Sequence, residues 1–180
     1  MRLSRNNSGS IVADLPVIMT PRTRLTIDGV EIYCGHTNAV FPELLALRNQ
    51  LLRPGRPLED CHFPGDNAES ALHYGAFAAD RLVAIASLLR NPLPNDATTM
   101  ALQVRGMATL PEYRGRGVAS ELLRLCVEDA CMQGAERIWC NARRHAVGLY
   151  LRQGFASVGE EFDIPGIGPH YQMCRELPAG

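Results

Sequence analysis

Met100-Ala101-Leu102-Gln103-Val104-Arg105-Gly106-Met107-Ala108-Thr109-Leu110-Pro111-Glu112-Tyr113-Arg114-Gly115-Arg116-Gly117-Val118-Ala119 decides how the rest of the chain is read. Leu102, Val104, Gly106 and Ala108 alternate with Gln103, Arg105 and Thr109, which predicts a strand, and Gly106 inside it predicts a bulge or the close approach of another molecule. A helix follows. Val118, Leu122, Cys126 and Ala130 form one i,i+4 row and Ala119, Leu123, Val127 and Cys131 the next, with Glu121, Arg124, Glu128 and Asp129 on the other side and Gly134 at the end. Such a junction aims unpaired backbone N–H groups at one place, with the positive end of the helix dipole behind them. Gly115 and Gly117 let a phosphate approach without a Cβ in the way, Ala119 keeps the first turn narrow, and Arg114 and Arg116 add charge. The junction reads as an anion site.

Working outward, Arg137–Ala142 reads as a short strand and Arg144–Arg152 as a short helix ended by Gly154. Ala156–Glu161 and His170–Leu177 are two closing strands around the loop Ile164–Pro169. Upstream, His73–Ala78 and Leu82–Leu89 form a hairpin about Ala79-Asp80-Arg81. The Pro/Gly/acid-rich stretch from Pro54 to Ser70, with Phe63-Pro64-Gly65-Asp66, has the length of a binding loop holding one helical turn. His36–Arg53 carries leucines at helical spacing, with Thr37 and Asn38 as caps and Pro54-Gly55 as the stop. Arg24–Gly35 is extended around Asp28-Gly29. Residues 1–20 show no clear period and are expected to be a flexible arm, leaving 21–180 as one domain. Strand, helix, three strands, then strand–helix units make an α/β domain with a mixed sheet.

Composition narrows the chemistry. The 180 residues are 46% apolar and 21% charged, with a net charge of −1, an ordinary globular balance that gives no sustained attraction to nucleic acid. All 18 basic residues are arginine. A phosphate loop ending in Gly-Lys and a lysine Schiff base are therefore excluded. The six cysteines include no Cys-x-x-Cys pair, no charged-then-apolar-then-small leader opens the chain, and no apolar run is long enough to span a bilayer, so a cytoplasmic protein with reduced thiols and no membrane partner is expected. No histidine motif has metal-ligand spacing, so no metal is expected. Cys140 lies in an apolar strand and reads as a small hydrophobe rather than a nucleophile paired with His145. Trp139 reads as core.

A dinucleotide fingerprint fails here, because Gly115-x-Gly117 is followed by Ser120 and the next strand ends without an acidic residue. Instead, Arg114-x-x-Gly117-x-Ala119 after a strand resembles the pyrophosphate signature of the GNAT superfamily of N-acetyltransferases, Arg/Gln-x-x-Gly-x-Gly/Ala. Trp139-Cys140-Asn141-Ala142 leading to Leu149-Tyr150-x-x-x-Gly154-Phe155 is similar in order and spacing to that family's next elements. The likeness spans roughly Leu102 to Leu177.

The resemblance implies a single GNAT-like domain: a mixed, mostly antiparallel twisted sheet flanked by helices, with strands splayed at the coenzyme site. It implies acetyl-CoA as co-substrate, its pyrophosphate on Arg114, Gly115, Arg116, Gly117, Val118 and Ala119. The pantetheine arm would pair like an added strand with the backbone of Met107, Ala108 and Thr109, and a backbone N–H near Ala108 would stabilise charge on the thioester oxygen. Tyr150 matches the general acid of many members, and Asn141 is placed to meet the pantetheine or to order the turn. Arg143 and Arg144 either reach the coenzyme phosphates or are solvated. For the general base, His170 is preferred over Glu160, Glu161, His73 and Glu112, because the loop before it can hold its ring at the opening. The expected reaction is direct acetyl transfer to a primary amine, on a small molecule; an acyl-CoA sensing module and a protein acetyltransferase stay open, as does a homodimer. The acidic stretch Glu59–Glu69 would attract a cationic acceptor.

Overall fold

A computed structural model of the chain describes residues 19–94 and 96–178. Most of the expected amino-terminal arm, residues 1–18, lies outside the described residues. The chain begins with the hairpin of β1 (Thr20–Ile27) and β2 (Val30–Thr37), joined by Asp28 and Gly29, both at positive φ. A two-residue loop of that shape matches the right-handed twist of its strands. Then follow α1 (Pro42–Leu52), a 3₁₀ turn at Leu58–Cys61, and the three strands β3 (Leu72–Ala78), β4 (Arg81–Arg90) and β5 (Ala101–Thr109). After a 3₁₀ turn at Pro111–Tyr113 come α2 (Val118–Met132), β6 (Arg137–Arg143), α3 (Val147–Arg152), β7 (Ala156–Ile164) and β8 (Gly168–Glu176).

The strands form one sheet in the order β1-β2-β3-β4-β5-β6-β8-β7, antiparallel at every joint except the parallel pair β5–β6. This is the mixed sheet expected from the order of elements, with the mostly antiparallel pairing that the resemblance implies. Two boundaries differ. His36 and Thr37 do not open a helix but pair with Tyr74 and His73 of β3, so the ladder overrides the local helical pattern. The helix starts six residues later, with Pro42 in its first turn, where a missing N–H costs nothing, and with Phe41 rather than Thr37 or Asn38 as its cap. At the other end, half of the expected loop Ile164–Pro169 is strand: Asp163 pairs with Pro169 and Ile164 with Gly168, leaving residues 165–167 to turn.

Side-chain alternation along β3 places the two long helices. His73 bonds to Ser87, which also receives Arg48 of α1, whereas the next residue, Tyr74, donates its hydroxyl to Asp129 of α2 at 2.7 Å. Successive strand residues face opposite ways, so α1 and α2 cover opposite faces. Ile32, Ile85, Leu88, Leu122, Leu123 and Ile138 are among the fully buried side chains of the core.

One part of that core is polar. Arg48, fully buried, donates to both carboxylate oxygens of Asp66, to the Cys61 carbonyl at 2.9 Å and to Ser87 Oγ at 2.8 Å. Asp66 also accepts the Phe63 N–H at 2.7 Å, and His73 Nε2 reaches the Asp66 carbonyl at 2.9 Å. These bonds tie the loop after α1 down onto β3 and β4. Burial pushes the Asp66 carboxyl up, but the Arg48 guanidinium and the Phe63 N–H outweigh it and hold Asp66 below the usual carboxylate range. A depressed carboxyl stabilises the fold above its unfolded value of about 3.9 and loses that contribution as pH falls through the folded one. Asp66→Ala should therefore lower the unfolding free energy by about 3–5 kcal/mol at pH 7, because it strands a buried guanidinium. Denaturant melts should show the gap to the wild type narrowing as the pH is taken below about 4.

Candidate active site

β5 and β6 are joined by only three residue pairs, Ala101–Arg137, Leu102–Ile138 and Gln103–Trp139. Beyond them the strands part. Val104–Thr109 stays paired with β4 on one side and has no strand on the other among the described residues, while Cys140–Arg143 stays with β8. At the divergence Gly106 and Met107 together oppose the single residue Ala86, the bulge that Gly106 predicts. Gly106 has φ +58°, and a Cβ there would lie 2.9 Å from the Phe63 ring and 3.0 Å from Arg48 Nε, so both its backbone and its surroundings require glycine.

The opening is a cavity of about 420 Å³. Met107, Ala108, Thr109, Asn141, Tyr150 and His170 line it together with Arg114 and Ala119. A second cavity, of about 560 Å³, continues from it along Thr109, Arg114 and Ala119 to Gly115, Gly117 and Val118. Gly117 caps α2 with φ +86°, and no atom lies within 4 Å of where a Cβ would sit on it or on Gly115. The first intrahelical bond runs from Glu121 N–H to the Gly117 carbonyl, which leaves the N–H groups of residues 118–120 facing this space without a helical acceptor. Arg114 folds back, its Nε donating to the Thr109 carbonyl at 3.0 Å. Arg116 is the exception among the expected residues: its guanidinium pairs with Asp28 in the β1–β2 turn and lines neither cavity.

Tyr150 enters from α3, 5% exposed, with its ring edge-on to Phe155 at 5.5 Å. Its hydroxyl lies 3.7 Å from Met107 Sδ, a weak acceptor that leaves the proton available. Burial, with Cys140 adding to it, pushes the phenol well above its ordinary range, so it holds its proton at neutral pH. His170 is also buried, and its Nδ1 is 2.7 Å from the Gly168 carbonyl. A carbonyl only accepts, so Nδ1 carries the hydrogen, and in the neutral ring Nε2 is the nitrogen with the lone pair.

The other candidate bases lie elsewhere. Glu112 pairs with Arg81, Glu161 pairs with Arg144, Glu160 is exposed, and His73 is bound into the Arg48 network. None lines the cavity. The Arg144–Glu161 pair also turns Arg144 away from the coenzyme side, whereas Arg143 lines the cavity and donates to the Leu52 carbonyl at 3.1 Å. The wall also includes residues to which sequence reasoning gave no part in the cleft, among them Leu51, Arg53, Phe63, Arg105, His145, Ile164 and Ile167. Phe63 belonged to a recognisable loop; the arginines carried no local signal. Trp139 is core, donating its Nε1–H to the Asn91 carbonyl at 2.9 Å. Among the described residues no group of three or more His, Cys, Asp or Glu side chains could hold a metal ion, and no helix is long and apolar enough to cross a membrane.

Residues 41–155 match the model of the acetyltransferase (GNAT) family. The chain belongs to the GNAT acetyltransferases. This GNAT domain is 38% identical over 131 residues to YitI of Bacillus subtilis (strain 168), described as an uncharacterized N-acetyltransferase, covering 73% of this chain and 88% of that protein. Its fold is that of Escherichia coli ElaA, with a TM-score of 0.62 and 23% identity over 74% of this chain and 88% of the other. A chain of the NatC complex, solved bound to Gag peptide and CoA, also shares it, with a TM-score of 0.61 and 15% identity over 81% of this chain and 99% of that one. The protein is an N-acetyltransferase of this family, which uses acetyl-CoA.

Cys140, buried beside Tyr150, has its thiol pushed up to about 12 by burial, so this acetyltransferase has no thiolate nucleophile at that position. Alkylation by iodoacetamide at pH 8, followed by peptide mass mapping, should leave Cys140 unmodified in the native protein and label it fully after denaturation.

Proposed function

We propose that the enzyme moves an acetyl group from acetyl-CoA to a primary amine of a small molecule, by direct attack within a ternary complex. The observation that carries this reading is the parting of β5 and β6 after three residue pairs, with the glycine loop at one end and Tyr150 and His170 lining the gap. Unpaired strand edge fits an extended amide chain such as pantetheine, which is the reason for assigning it to Met107, Ala108 and Thr109 with Asn141 across from them. Gly115 and Gly117, with the N–H groups of Val118 and Ala119 and the charge of Arg114, suit a diphosphate. Arg116 would contribute through its backbone alone, given its pairing with Asp28.

In this scheme His170 Nε2 takes a proton from the attacking ammonium, directly or through water. A backbone N–H of the bulged segment stabilises the charge that builds on the carbonyl oxygen. Tyr150 gives its proton to the departing thiolate. No covalent enzyme intermediate is needed. The small-molecule acceptor is supported by how closely the far end is walled: Arg143 bonds to the end of α1, and Arg56 Nη2 would lie 3.2 Å from a Cβ on Gly166 in the β7–β8 turn.

Thiol release from acetyl-CoA across a panel of amines, amino acids, polyamines, aminoglycosides and peptides tests the reading. Turnover is expected with small amines; tight coenzyme binding without release for any acceptor would make the domain a sensor. Tyr150→Phe should cut kcat about tenfold or more while the KM for acetyl-CoA changes little, and unchanged turnover would remove the acid role. His170→Gln should cost about a hundredfold in kcat if the ring is the base.

A further inference from the structure

The end of the cleft remote from the glycine loop carries positive charge with no carboxylate in its lining. Arg53, Arg105 and Arg143 line it, and its lining contains no aspartate or glutamate. All three are half-buried. None takes part in a salt bridge among the described residues. The Arg53 and Arg105 guanidinium carbons sit 5.3 and 4.7 Å from the centre of the Phe63 ring. Arg48 lies over the same ring at 4.1 Å, but its charge is spent on Asp66.

Holding guanidinium groups half out of water and near one another is unfavourable unless something offsets it. At Arg105 burial lowers the affinity for the proton; Asp66 opposes this, and Arg48 and Arg53 add to it. At Arg143 burial alone has the same effect. Both remain charged in any physiological range. Arg53 and Arg105 have no side-chain acceptor among the hydrogen bonds of the described residues, so their planar forks are free to grip an oxyanion.

The acidic stretch Glu59–Glu69 supplies no carboxylate to the wall of this cleft. Asp66 is locked to Arg48, and Glu59, Asp60 and Glu69 are exposed and outside the lining. Nor do these arginines belong to the diphosphate site, whose cavity is lined instead by Arg114 and Arg152.

We propose that the acceptor is an amine whose own molecule bears an anionic group, a carboxylate or a phosphate, held by Arg53 and Arg105 beside Phe63 with Arg143 at the rim. This rests on reading the cleft as the transferase site. The body between the two groups is small and partly apolar, to match Leu51, Phe63, Ile164 and Ile167. The same positive field eases loss of the ammonium proton before attack, since like charges disfavour the cation.

The test is thiol release from acetyl-CoA by the wild-type enzyme with matched acceptors: an amino carboxylate, its carboxamide, the amine lacking that group, the aminoalkyl phosphate and a polyamine. An anionic member is expected to exceed its uncharged counterparts and the polyamine by about tenfold or more in kcat/KM, and the carboxylate and phosphate arms tell the two oxyanions apart. Arg53→Gln and Arg105→Gln should each raise the KM for the anionic acceptor about tenfold or more while the KM for acetyl-CoA changes less than about twofold. Equal or better use of the carboxamide, the simple amine or the polyamine overturns the anionic acceptor and leaves the transferase reading standing. No release with any member, despite coenzyme binding, overturns that reading and this one together.

Discussion

Backbone N–H and C=O groups that lose a strand partner must find another, and the middle of this sheet is organised around that requirement. Three residue pairs join β5 to β6 before the strands separate, so the β6-facing edge of Val104–Thr109 borders a cavity instead of a ladder. The bulge at Gly106 and Met107 sits at the divergence, and Gly106 has room for no side chain between Phe63 and Arg48. An open strand edge in the heart of a domain would be costly if nothing were meant to occupy it. The extended amide chain of a coenzyme is the kind of occupant that satisfies it.

Arg48 couples this opening to the loop after α1. Its buried bonds to Asp66, Cys61 and Ser87 fasten that loop over the bulge and put Phe63 into the cleft wall. A buried ion pair of this kind adds little net stability over a well-packed apolar substitute, but breaking it leaves a stranded charge. Its use here is placement. It also separates Arg48, whose charge Asp66 neutralises, from Arg53, Arg105 and Arg143, which line the cavity without a salt-bridge partner among the described residues.

Burial sets the protonation chemistry on the opposite side. The same desolvation that keeps the Cys140 thiol inert keeps the Tyr150 phenol protonated, so two neighbouring acidic groups are both held in their neutral forms. Across the cleft, the Gly168 carbonyl fixes the tautomer of His170 and leaves Nε2 as the basic nitrogen. A protonated phenol and an imidazole thus line one cavity, the phenol held by its apolar seat and the imidazole by a carbonyl two residues away.

The sequence alone was enough for the mixed sheet, the glycine loop before α2, the bulge at Gly106 and the lining positions of Tyr150, Asn141 and His170. The sheet, the glycine loop and the bulge depend on period-two and helical repeats and on turn residues, which act over a few residues; Tyr150 and Asn141 come from the resemblance of their segment to GNAT enzymes, and His170 from the tight loop before it. His36 and Thr37 went to a strand because their partners, Tyr74 and His73, lie far along the chain, and cross-strand pairing outweighed a local helical pattern. Which of five possible bases lines the cleft, where Arg116 points, and that Glu59, Asp60 and Glu69 lie outside the lining were decided by tertiary structure. So was the gathering of Arg53, Phe63, Arg105 and Arg143 from separate elements. A charge has no periodicity to announce its partner: its meaning depends on which other charges folding brings within a few ångströms, and that is a property of the packed chain.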